Sequence, residues 1–201
     1  MSRVSLSKSS LAKQNRALQT YERYLPSLDL KRKQIMTERA KEVLAQGETR
    51  RKIAVLRKQV TENLPMLANR EIDLSGLVQV RGARLGEENL LGTRLPVLEG
   101  LDLVKRDYGL LSKPHWVDVL VDALSEMLTL QAQLALHDRR LVLLDEAVRK
   151  VTQRVNLFDK VLIPRTRENI KRIRVHLSDS ERAAIVRSKI AKGKRLGEAS
   201  A

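Results

Sequence analysis

The sequence predicts a mainly α fold: a long antiparallel two-helix coiled coil with a small β-hairpin-containing head. Three observations carry that expectation. Apolar residues recur every seven positions through the carboxy-terminal half, a rougher apolar stripe runs through the amino-terminal half, and the glycines gather between them. Six of the nine glycines, Gly76, Gly82, Gly86, Gly92, Gly100 and Gly109, fall within residues 69–113. Composition agrees. With one Phe, one Trp and three Tyr in 201 residues that are 42% apolar, Leu, Val and Ile must fill the core, which suits helix-on-helix packing.

Residues 1–68 form the expected first arm, with Ser9 or Ser10 capping a helix over 10–68. Leu11, Leu18 and Leu25 recur by seven with Tyr21 and Leu28 nearby, and Ile35, Val43, Ile53, Val60, Leu64 and Leu67 extend an apolar side. Pro26 is placed to kink or restart this helix. Residues 69–113 form the head, where alternation in LVQVRGARL and GTRLPVLEGLDL predicts short strands joined around Gly86–Glu88. That head is too short to be an enzyme domain with its own substantial core.

Residues 114–177 form the second arm. One heptad series runs Leu120, Met127, Leu134, Leu141, Val148, Val155, Leu162, and the other Ala123, Leu130, His137, Leu144, Val151, Phe158. As one helix, Pro114 to Leu177 would span roughly 95 Å, and so narrow a stripe needs a partner. The other arm supplies one. His137 is the polar member of the seam, a residue type suited to fixing register. In VNLFDKVLIPRTRENIKRIR, Pro164 either ends this helix or sits within it at a bend. Ile170 and Ile173 sustain the apolar face beyond it and favour the bend. Residues 178–201 are expected to begin a fresh helix at Ser178, which has capping-box spacing to Glu181, followed by a tail. The competing architecture is a compact helical bundle broken at Pro26 and near Gly47.

Charge is distributed by position. Residues 1–60 hold 15 Lys and Arg against 5 Asp and Glu, residues 139–201 hold 17 against 7, and residues 61–138 hold 7 against 12. Two basic ends enclose an acidic middle. Such ends suit either nucleic acid or an acidic protein surface. Arg165, Arg167, Lys171, Arg172 and Arg174 could reach phosphates, as could Lys31–Lys33 and Arg50–Lys52. Nevertheless, there is no aromatic stacking platform, zinc-finger spacing or recognition-helix unit, so a basic nucleic-acid-binding coiled coil is the second reading.

Chemistry-bearing motifs are sparse. The absence of cysteine removes disulfides and thiolate ligation and fits a cytosolic chain. No run of about 18 apolar residues and no apolar leader stand out, so no direct membrane insertion is expected. His115, His137 and His176 lie too far apart along a helix to converge on a metal. RGARLG has neither P-loop nor dinucleotide spacing, and Glu87 and Glu88 read as solvated turn charges. Neither catalytic residues nor a cofactor are expected.

Three blocks carry a family resemblance: LDLKRKQIMTERAKE, NLLGTRLPVLE, and VNLFDKVLIPRTRENIKRIRVHLSDSERAAIVRSKIAK. The last is the most specific, combining RVN at 154–156, VLIPR at 161–165 and the helix near SDSER. With them the chain resembles the D subunit of the V/A-type rotary ATPases, the central-stalk rotor subunit, over nearly its whole length. It departs from that pattern in AKQNRALQTYERYLP, where relatives carry a leucine- and lysine-rich run. The resemblance implies an axle inside an alternating hexamer of catalytic and regulatory subunits, a small companion on the axle's exposed part, and a funnel-shaped subunit joining the stalk to a membrane ring. It also implies a peripheral place on the cytoplasmic side of a membrane. Within that frame, Arg165, Arg167, Lys171, Arg172 and Arg174 become candidate contacts with the hexamer.

Overall fold

The computed structural model describes residues 5–68, 74–106 and 114–198. Helix α1 spans Lys8–Asn63, a 3-10 turn follows at Pro65–Ala68, strands β1 (Val78–Leu90) and β2 (Thr93–Lys105) form an antiparallel hairpin, and α2 spans Trp116–Asn156. A π-helical segment, Leu157–Leu162, leads directly into α3, Ile163–Glu198. The fold is therefore mainly α, with long helices and a two-stranded sheet.

Local chemistry sets the boundaries. Ser7, rather than Ser9 or Ser10, caps α1: its Oγ accepts from the Ser10 N–H at 3.2 Å and satisfies one of the free donors of the first turn. The helix continues through both Pro26 and Gly47. Residues Leu91 and Gly92, not Gly86–Glu88, make the hairpin turn, with φ of 51° and 82°, and Asn89 Oδ1 accepts from the Gly92 N–H at 2.9 Å. Gly86 instead pairs with Val97 inside the ladder, making the strands longer than the alternation indicated. No fresh start occurs at Ser178, because α3 runs through it. Gly109 lies outside the described residues.

The chain divides into two compact units, each holding a piece of both arms. Residues 1–30 and 151–201 make the first. Within it Lys8 meets Glu181 at 3.5 Å, Glu22 meets Arg167 at 2.8 Å, and Tyr21 stacks edge-on against Phe158. Residue numbers rise on one arm as they fall on the other, so the arms run antiparallel. Residues 31–150 make the second unit, where Arg39 meets Asp145 and Gln46 meets Asp138 in the same antiparallel sense. Its apolar core joins Leu64, Leu77, Trp116, Val117, Leu120 and Val121, packing the hairpin base against the ends of α1 and α2.

Candidate functional site: helix seams and their basic flank

In the second unit the expected seam positions Leu120 and Leu144 are buried, while Met127, Leu134, His137, Leu141 and Val148 are half-buried. In the first, Val151 and Val155 are buried and Phe158 and Leu162 half-buried. Facing them, α1 packs Ile35, Thr49 and Leu56, with Glu42 completing a seven-residue spacing. Val43, expected on the apolar side, is 40% exposed. The apolar pattern misplaced it because two positions of the true stripe, Glu42 and Thr49, are polar.

Glu42 is the seam residue that apolar periodicity could not reveal. One carboxylate oxygen lies 2.6 Å from His137 Nδ1, and the other 3.1 Å from Arg140 Nε. Arg140 also donates to the Pro96 carbonyl at 3.1 Å and approaches Glu88 at 3.5 Å. All three side chains of the inner cluster are less than one-fifth exposed, so the attraction between Glu42 and Arg140 acts in a weakly solvated setting. One guanidinium thereby ties α1, α2 and the hairpin together. On the exposed side, the Arg39 guanidinium is held above its ordinary pKa by its hydrogen bond to Asp145 and that group's charge.

Arg165, Arg167, Lys171, Arg172 and Arg174 all lie on the exposed side of α3. Two have acidic partners: Arg167 with Glu22, and Arg172 with Glu168 at 2.6 Å. Arg167, Lys171 and Arg174 rim an open groove of about 360 Å³ whose floor includes Leu18, Ile170 and Val175, with Asn15 at its side. An apolar floor under a cationic rim suits a docking surface better than a reaction centre.

Among the described residues, no three His, Asp or Glu side chains gather to hold a metal ion. His115 lies exposed ahead of α2, and His176 lies exposed on α3. The helical run from Trp116 contains an 18-residue window with a mean hydropathy of 1.3, enough by length and composition to cross a membrane. Only 17% of that window is buried, although the same run supplies Leu120, Leu130 and Leu144 to packing.

Comparison with known proteins assigns this architecture to a family. The family model for the D subunit of ATP synthase matches residues 10–193. A V-type ATP synthase D subunit from Borreliella burgdorferi is 34% identical over 196 residues, covering 96% of this chain and 95% of the relative. Proteins of the same description from Chlamydia felis and Chlamydia trachomatis serovar L2 are 28% identical over 198 residues and 37% identical over 107 residues. The former alignment covers 96% of this chain and 94% of the relative, and the latter 53% of each. The matched region takes in both arms and the hairpin, and on that evidence the chain belongs to the ATP synthase D-subunit family.

Proposed function

We propose that this chain is a non-catalytic central-stalk rotor subunit, transmitting torque between an ATP-hydrolysing or ATP-synthesising head and a membrane ion-translocating ring. Family membership across both arms is the observation that carries the reading. The antiparallel arm pairing within each unit supports it, since a helix pair joined along its length resists twisting better than a single helix.

The partners follow from the same reading: an alternating catalytic and regulatory hexamer around the pair, a small companion subunit, and a funnel-shaped subunit leading to the ring. The chain is then peripheral, on the cytoplasmic side, through its complex. Rearrangement of the hexamer during nucleotide turnover pushes on an asymmetric pair, and reverse torque drives synthesis. Leu120, Met127, Leu134, His137, Leu141, Leu144, Val148, Val151, Val155, Phe158 and Leu162 keep the arms from sliding. Arg165, Arg167, Lys171, Arg172 and Arg174 attract the hexamer through charge, whose shallow distance dependence tolerates displacement better than fitted apolar contacts.

Reconstitution of the complex with and without the chain tests this. Nucleotide hydrolysis by the complex lacking it should persist without ion movement, and adding the chain back should restore coupling. Ion movement at full rate without the chain would overturn the proposal.

A further inference from the structure

The heptad of the second arm slips by one residue where its helix changes geometry. Packed positions advance by seven through Leu144, Val151 and half-buried Phe158, yet the next on that stripe is Thr166, eight residues on, followed by Ile173 at seven. The companion stripe takes the same step, from Val155 to Ile163 and then Ile170. One extra residue accounts for both, and it sits in the π-helical segment Leu157–Leu162. There the Ile163 N–H bonds to the Phe158 carbonyl, five residues back rather than four. Pro164 follows at once and has no N–H to offer either Asp159 or Lys160. Without the extra residue, the packed positions beyond Pro164 would be rotated off the seam by about 100°.

The facing arm is interrupted at the same level. Pro26 leaves the Glu22 carbonyl without its helical donor. The Tyr21 ring, just over one turn before Pro26, lies 5.4 Å from that of Phe158 inside the π-helical segment, and the Glu22 side chain reaches Arg167 just beyond Pro164. Both interruptions belong to the same compact unit. Packing is thin between them: no residue of Leu157–Leu162 is buried, and Leu157 and Val161 are both exposed.

We propose that Pro26 and the π-helical segment before Pro164 form a paired flexural joint, a level at which the two-helix pair bends and twists more readily than the turns on either side. A helix resists bending through its ladder of backbone hydrogen bonds, and an interruption in one helix alone would be splinted by an intact neighbour. Here each ladder lacks the donor of a proline at one level, while the shifted heptad keeps the seam packed beyond it. The joint is a property of the chain itself and does not depend on its role in a complex.

Amide hydrogen exchange on the full chain tests it. Residues 157–166 and 22–30 should exchange at least about tenfold faster than residues 144–156 and 167–173. Equal exchange across these turns would overturn the proposal. Deleting Asp159 together with Pro164→Ala restores seven-residue spacing and the missing donor, and should slow residues 157–166 to the rate of their neighbours with helical content preserved. Exchange that stays fast in a folded variant would also overturn it. Should that variant fail to fold, Pro26→Ala serves instead: slower exchange on both arms is expected, and unchanged exchange at 157–166 would refute the pairing of the two interruptions.

Discussion

Leu144 and Glu42 show how differently two seam residues stabilise this chain. Leu144 is almost wholly buried, so Leu144→Ala removes apolar contact and leaves a void, with an expected loss of about 2–5 kcal/mol in denaturant unfolding. Normal stability and assembly in that variant would remove Leu144 from the seam. Glu42 acts through charge. Glu42→Gln should cost roughly 1–3 kcal/mol, since it weakens contacts to both His137 and Arg140 and leaves the guanidinium poorly compensated. Arg39→Met breaks an exposed, solvent-screened pair and should cost clearly less than Glu42→Gln in the same unfolding measurement. Equal costs for the two variants would mean that the Glu42 cluster is solvated like any surface pair. His137 was legible as the polar member of its heptad. Its partner was not, because Glu42 lies 95 residues away and only folding brings the two together.

At the level of elements, what the sequence revealed depended on whether side-chain period or backbone geometry was decisive. The second arm's heptad was readable because Leu, Val and Met repeat on it with little interruption. The first arm was harder because Glu42, Gln46 and Thr49 occupy or flank its seam, and a search for apolar stripes passes over them. The slip between Phe158 and Thr166 is visible once the buried positions are known. By itself, however, VNLFDKVLIPR admits several registers. The hairpin turn was misplaced for a related reason: Gly86 looked like a turn residue, whereas the chain reverses at Leu91–Gly92, with Leu91 at a positive φ that leucine rarely adopts. That strain is removable. Leu91→Asn places Asn-Gly in a turn that requires positive φ at both positions, and should stabilise the hairpin by about 1 kcal/mol with slower exchange of β1 and β2 amides. A destabilised hairpin would mean that the Leu91 side chain contributes more than its backbone costs.

For the whole chain, the charge pattern and the family blocks were readable from composition and motif alone, and the comparisons bear out the family. Which cations remain available to a partner was only partly readable, because the pairing of Arg167 depends on the other arm, whereas Arg172 pairs one turn away on its own helix. Arg167 is engaged by Glu22 and Arg172 by Glu168, whereas Lys171 and Arg174 rim the groove over Leu18 and Ile170. If the hexamer docks here, reversing those two charges should damage assembly while sparing the fold. Lys171→Glu with Arg174→Glu alters exposed side chains, so the isolated chain's unfolding free energy should change by no more than about 0.5 kcal/mol for each. Added salt should weaken the wild-type complex by screening the same attraction, with a shallower dependence in the double variant. Loss of complex together with loss of fold would point to stability rather than docking. Unaltered assembly at low and high salt, in a folded double variant, would move the docking surface away from this groove and leave its basic rim as a solvated face.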